Sequence, residues 1–341
     1  MLLRCEVDPE YGLDDLARCL ILARGLSPHG YRIAFAVRKT DFDSAKAMIG
    51  EEFPIYRLPL EEDQEIERLG HLHRKHKHQI LYVDLRHTTS AYLFRVRRLF
   101  KHTVVYDRGS KYFLYADTLI NTAITAHHHP YQCVPEAHLL LGVKFHVGQP
   151  LPKAPLPGPA SHLLIHTGNH PELLHLILNA LEKLYQRLTI HVLCQPNGSL
   201  KEVIRRVRED HPEAPIHPVH RPADQRFPYE RYPFILAQAN HDCLDLARTG
   251  RFFATIAAER DQLATAFALE QLGICPTLGW YPTKNESDIE QFIDQFLDDE
   301  PARLGFITHA LQLFDGKAMD RLAHFLPGEP AERRSLRKEE A

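Results

Sequence analysis

No apolar run in these 341 residues approaches the ~20 needed to span a bilayer, so no integral membrane segment is expected. The opening residues, Met1 to Asp8, carry a charge every few positions, which leaves no room for a signal-peptide core. An excess of positive charge is also missing. The chain has 41 Lys and Arg against 44 Asp and Glu, a net charge of −3, and lacks the basic footprint that a nucleic-acid backbone demands. Its six cysteines (Cys5, Cys19, Cys133, Cys194, Cys243, Cys275) are scattered without a CxxC pair, the pattern of reduced, mostly buried thiols in a cytoplasmic protein. There is no P-loop, no G-x-S-x-G elbow and no uninterrupted G-x-G-x-x-G. Kinase, serine hydrolase and ordinary dehydrogenase readings therefore lack support.

What is present is a globular composition, 44% apolar and 25% charged, in a chain long enough for two domains of about 150 residues each. Strand and helix patterns alternate through the first half. Leu2–Val7, Tyr31–Val37, Pro54–Leu58, Ile80–Val83 (ending on Asp84), Thr103–Tyr106 (ending on Asp107), Thr118–Asn121 and Leu139–Leu141 read as strands. Asp14–Arg24, closed by Gly25 or Gly30, Ser44–Ile49, Glu61–His76 and Ala91–Phe100 read as helices. Five prolines in the ten residues 150–159 then interrupt any helix or central strand, and 150–160 is expected to be a linker. The alternation restarts with strands at His162–His166, Thr189–Leu193, Ala214–His217 and Phe253–Ala257. The matching helices are Pro171–Gln186, Leu200–His211, Gln262–Leu272, Ser287–Leu297 and a last region over Ala302–Phe325, with Phe227–Asn240 mixed. From Pro327 the tail is charged and poor in apolar residues, and is expected to be disordered. The expected class is α/β, with parallel sheets in an N-terminal domain (1–149) and a C-terminal domain (161–326) and a ligand in a cleft between them.

Several segments in order resemble a known family. The opening Gly12-Leu13-Asp14-Asp15-Leu16-Ala17-Arg18-Cys19 and the apolar register behind it are similar to the G-x-G-H-x-x-R-C opening of the UDP-sugar hydrolases of pseudaminic acid biosynthesis. Those enzymes are relatives of the lipid II-forming N-acetylglucosaminyltransferase. Ile80–Asp84, Val104–Asp107, Ala116–Asn121 and Leu141–Phe145 resemble further segments of that family, as do Gly168-Asn169-His170-Pro171, Asn240–Gly250 and Glu259–Gln262. The resemblance implies a GT-B-like fold of two Rossmann-like domains, the first holding acceptor and catalytic groups and the second the nucleotide. It also implies attack on the anomeric carbon of a UDP-sugar, in nonulosonic acid or another surface glycan pathway, with no cofactor and no metal. The chain departs from the family at the catalytic column, where Asp14-Asp15 replace Gly-His. It departs again at Ala239-Asn240-His241-Asp242, where a glycine pair is lost, and at Asp245, which replaces a glutamate.

Asp15 and Asp14 are the candidate general bases, Asp15 the better because it occupies the histidine column; the structural reading of a carboxylate at a helix start is an N-cap. Arg18, one turn on, would touch a sugar or phosphate oxygen or stand solvated. Asp84 and Asp107 end parallel strands, and either face a ligand or cap the following loop; His87 and Arg108 lie just beyond. Gly168 and Asn169 open a helix as a diphosphate loop would. Asp245 and Gln262 are ribose- and base-side candidates, and Glu259 and Asp261 offer acceptors toward the donor sugar. His71, His73, His76 and His78 are interrupted by Arg74, Lys75 and Lys77, which argues for a solvated segment over a metal site, and His127-His128-His129 reads as loop. The alternatives to a hydrolase are a glycosyltransferase and a nucleotide-sugar-binding protein that has lost its chemistry.

Overall fold

The computed structural model describes residues 1–7, 13–148, 152, 160–194, 198–220, 227–240 and 242–327, with Asp14 in its backbone only. Gly12, His241, nearly all of the linker and the tail beyond 327 lie outside the described residues. The chain divides into two units. One comprises Met1–Gly148 and Gly316–Ala341, the other Gln149–Asp315.

The first unit is a seven-stranded, wholly parallel sheet in the order β3-β2-β1-β4-β5-β6-β7. Its strands are β1 Leu2–Cys5, β2 Ala34–Arg38, β3 Ile55–Leu58, β4 Ile80–Asp84, β5 His102–Tyr106, β6 Thr118–Asn121 and β7 His138–Leu141. Its helices are α1 Asp14–Leu26, α2 Phe42–Ile49, α3 Glu62–His76 and α4 Ser90–Arg97. The central strands β1 and β4 are buried along their whole length, because crossover helices cover both faces of a parallel sheet. Alternate residues of β1 feed two cores. Leu3 and Cys5 join Leu16, Cys19 and Ala23 of α1, while Leu2 joins Leu69 and Leu72 of α3 and Leu93 of α4.

The second unit has six parallel strands in the order β10-β9-β8-β11-β12-β13. They are β8 His162–His166, β9 Thr189–Cys194, β10 Ile216–His220, β11 Phe234–Gln238, β12 Phe252–Ala257 and β13 Thr277–Trp280, joined by α5 Pro171–Ala180, α6 Leu200–Asp210, α7 Asp242–Ala247 and α8 Leu263–Gln271 and followed by α9 Glu286–Asp298 and α10 Glu300–Leu313. Leu173, Leu174, Ile177 and Leu178 of α5 are fully buried. Each contributes about 1.5–3 kcal/mol of apolar burial, so the stripe outweighs any cap.

Among the boundaries that differ from expectation, three change how the cores are built. The helix expected over Pro171–Gln186 stops at Ala180 and tightens into a 3-10 turn at Glu182–Leu184, which keeps Leu181 and Leu184 in the core. Gly25 does not close α1. It lies inside the helix, where an added Cβ would collide with the Met319 side chain, and Gly30, at φ +84°, makes the turn. The final helical region breaks at Gly316 (φ +75°), and α11 (Ala318–Phe325) belongs to the first unit rather than the second. Leu322 and Leu326 enter the α1 core, and the Tyr31 hydroxyl donates to the carbonyls of Ala323 and Leu326.

Candidate functional site

In each sheet the strand order reverses once, at β1/β4 and at β8/β11. Loops leaving the carboxyl ends of such a pair run in opposite directions and open a crevice. Buried or half-buried charged and polar side chains lie at both points.

At the first, Cys5 pairs in register with Asp84, and α1 places Asp15 and Arg18 above them. Asp15 is 1% exposed and Asp84 is fully buried. Oδ1 of Asp15 accepts from the Nη2 groups of Arg18 (2.8 Å), Arg108 (2.9 Å) and Arg86 (3.3 Å), and Arg86 Nε lies 3.0 Å from Oδ2. Asp84 receives Arg18 in a two-pronged pair, Nε to Oδ2 at 2.9 Å and Nη2 to Oδ1 at 3.0 Å, and also Arg108 Nη2 at 2.7 Å. The Tyr106 ring lies 4.3 Å from the Arg18 guanidinium carbon and 5.2 Å from that of Arg108, a cation–π floor beneath both. Burial alone would raise the Asp15 carboxyl, but Arg18, Arg108 and Arg86 outweigh it and hold it below the usual carboxylate range. Burial pushes the neighbouring Cys19 thiol well up, so it stays protonated and donates to Asp84 at 3.6 Å.

This setting differs from both readings of Asp15, base and cap. A carboxylate held ionised by three guanidiniums is a poor proton acceptor at neutral pH, and no backbone cap bond to Asp15 is present among the described residues. The Asp14 side chain lies outside the described residues. Arg18, read either as solvated or as a sugar or phosphate contact, is buried against Asp15 and Asp84. Asp107 accepts the backbone N–H groups of Gly109 (2.8 Å) and Ser110 (3.0 Å), the turn-capping role among its two readings. Arg86 was missed in the sequence, since nothing in its surroundings distinguishes it from a solvated loop arginine.

At the second point, β8 ends on His166 and continues through Thr167 to Gly168 at φ +61°, where an added Cβ would meet Gln238 Oε1 at 2.5 Å. His166 is held between Tyr229, whose hydroxyl lies 3.4 Å from Nδ1, and Asp242, whose Oδ2 lies 3.7 Å from Nε2. His170 faces Gln238 Nε2 at 3.3 Å and Glu259 at 3.7 Å. Asn169 is exposed and accepts from the Ser199 hydroxyl at 3.3 Å. Gln262 Oε1 accepts the N–H groups of Ala258 (2.9 Å) and Glu259 (3.3 Å), so Gln262 and Glu259 form a reciprocal cap on the β12–α8 turn. Asp261 is exposed on that turn and Asp245 half-buried on α7. Gly168, Asn169, Glu259 and Gln262 are thus drawn around one strand edge. The sequence missed His166, Tyr229, Gln238 and Asp242. Two of these are the last residues of adjacent strands, a position that pairing β8 with β11 would have exposed.

Several histidines away from these points make local contacts: His73 contacts the His78 carbonyl, His76 stacks on Tyr56, and His129 contacts the Ser110 carbonyl. Among the described residues no group of three or more His, Cys, Asp or Glu is placed to hold a metal ion, and no helix is long and apolar enough to cross a membrane. A depression of about 360 Å³ on α6 and β10, lined by Lys201, Ile204, Arg205, Arg208, Glu209 and Pro218, contains none of the candidate residues.

No family model matches the chain, and no curated protein matches its sequence. Solved structures do. MurG of Acinetobacter baumannii superposes with a TM-score of 0.66 at 12% identity, over 95% of this chain and 98% of that one. MnaA of S. aureus, solved with UDP, gives 0.62 at 13% identity over 94% of each chain. A glycosyltransferase of Rickettsia africae gives 0.63 at 11% identity over 94% of this chain and 95% of that one. Likeness at these identities shows the fold, and the fold is that of the GT-B proteins, two Rossmann-like domains in one chain.

Proposed function

We propose that this chain binds a nucleotide sugar, UDP-linked, and processes it at the anomeric carbon. In this reading the second unit holds the nucleotide and the first holds the acceptor end. The carrying observation is the β8–α5 turn, where Gly168 at positive φ lies against Gln238 while His166, His170 and Asn169 surround it. A turn without a side chain lets backbone amides approach a diphosphate, and the start of α5 favours its charge. That the similar MnaA structure contains UDP supports the nucleotide. The ordered motifs from Gly12 to Gln262 support a role in nonulosonic acid or another surface glycan.

In the reaction an oxygen nucleophile, water or a sugar hydroxyl, bonds to the anomeric carbon as the carbon–oxygen bond to the diphosphate breaks, and its proton passes to solvent or to the departing diphosphate. His166, backed by Asp242, would stabilise the departing charge. Asp15 would act as a positioning residue for the arginines and not as the base. That assignment favours one second reading, a protein that binds the nucleotide sugar without turning it over.

Calorimetry with UDP and UDP-N-acetylhexosamines tests the reading. Binding is expected, with a loss of about tenfold or more in Gly168→Ala, because its new methyl would displace Gln238 from a strained turn. Absence of nucleotide binding at millimolar concentrations, or undiminished binding to Gly168→Ala, overturns it. Product analysis with and without an acceptor sugar separates transfer from hydrolysis, and bound but unconverted ligand identifies the binding-only protein.

A further inference from the structure

Three guanidiniums, of Arg18, Arg86 and Arg108, converge on the carboxylates of Asp15 and Asp84 at the carboxyl edge of the first sheet. Two further carboxylates lie near, Glu6 and Asp107, and both face backbone amides, those of Arg86 for the first and of Gly109 and Ser110 for the second.

The three arginines are not equivalent. Arg18 is buried and directs Nε and Nη2 at Asp84 and Asp15. Arg108, 25% exposed, meets both aspartates through Nη2 alone. Its Nε and Nη1 have no hydrogen-bond partner among the described residues, although the Tyr106 ring and the ion pairs fix the guanidinium in place. In the loop between β4 and α4 the hydroxyl of Thr88 is buried with no partner among the described residues. A guanidinium fixed at one nitrogen and open at the others presents the fork that pairs with a carboxylate or a phosphate.

We infer that the carboxyl edge of the first sheet is a binding site for an anionic sugar, one bearing a carboxylate or a phosphate, with Arg108 as its principal contact. Asp15 and Asp84 act as positioning residues that hold Arg108 in its pose. Naming this anion as the second substrate rests on the nucleotide-sugar reading. The binding site itself rests on the first unit alone.

Calorimetry on the full chain with glucose 6-phosphate, glucuronate and neutral glucose tests the inference and distinguishes the two anion sources. At least one of the two anionic sugars is expected to bind about tenfold or more tightly than glucose, and Arg108→Gln is expected to remove that preference. Because Arg108→Gln also strips charge from two buried aspartates, Arg108→Lys is the second variant. It keeps the charge, loses the fork, and is expected to remain folded by circular dichroism while losing affinity for the anion. UDP is measured alongside. UDP binding unchanged in Arg108→Lys together with lost anion binding supports the site. Anion binding that depends on Arg108 without any UDP binding upholds the site and sinks the nucleotide reading. Anionic sugars that bind no better than glucose, or equally well to folded Arg108→Lys, overturn the inference whatever UDP does.

Discussion

Among the described residues of the first unit two arginine–carboxylate clusters are buried, one around Arg4 and one around Asp15 and Asp84. Arg4, third in β1, points to the α3–α4 side, where Nε and Nη2 meet Glu65 at 2.8 and 3.2 Å and Nη1 donates to the Cys5 carbonyl at 2.7 Å. Glu65 also accepts from Tyr92 at 2.7 Å and Arg38 at 3.0 Å, and both members of the central pair are fully buried. Every nitrogen of Arg4 is engaged, and the cluster lies between sheet and helices. The second cluster uses the same chemistry at a strand edge, with Arg86 and Arg108 partly exposed and Arg108 only half engaged. A saturated ion cluster locks helices to a sheet. An unsaturated one at a switch point holds a charged group in a fixed pose for something else to meet. Position in the topology and completeness of pairing, rather than residue type, separate the two.

The contrast predicts unequal costs. Arg4→Met leaves Glu65 with Arg38 and Tyr92 and should destabilise the protein by about 3–5 kcal/mol, measured as a shift of the urea midpoint, because a buried carboxylate loses its main partner. Replacing Glu65 by Leu in the same chain should recover most of that loss. Arg18→Met should cost less, about 2–3 kcal/mol, since Arg108 still reaches both Asp15 and Asp84. If the Arg18 variant proves the costlier of the two, the edge cluster is the structural lock and the comparison is inverted.

Much of the fold was legible before the structure. The register of Leu16, Cys19, Leu20 and Ala23 predicts α1, and the apolar runs at Ile80 and Val104 predict strands ending on Asp84 and Asp107. In both cases the local pattern and the final burial agree. The partner of α11 was not legible, because an apolar stripe at Met319, Leu322 and Leu326 says that a helix must pack but not on which core. The Arg4–Glu65 pair spans 61 residues and the Arg108–Asp15 contact 93, and no local spacing encodes either. Asp15 shows the same limit inside the site. Its place in the motif was readable, but its job depended on Arg86 and Arg108, which arrive from two other strands.

Acid titration sharpens the comparison most finely. Burial works to raise both Glu65 and Asp15, yet the arginines around each prevail and lower both below their ordinary values of 4.5 and 3.8. A depressed carboxylate binds fewer protons folded than unfolded, so its stabilisation is complete above the ordinary value and disappears as pH falls through the lower, folded value. Wild-type stability should therefore decline as pH drops below about 4.5. Glu65→Gln and Asp15→Asn should both start from lower stability at pH 7 and then lose less than wild type on acidification, because neither carries the proton-linked group. The Asp15→Asn change should be the smaller, as Asp84 continues to hold Arg18 and Arg108. Urea midpoints at pH 7, 4.5, 3 and 2 measure the slopes. Acid limbs parallel to wild type in both variants would mean that neither carboxylate is held ionised, and would remove the electrostatic basis for separating a lock from a binding edge.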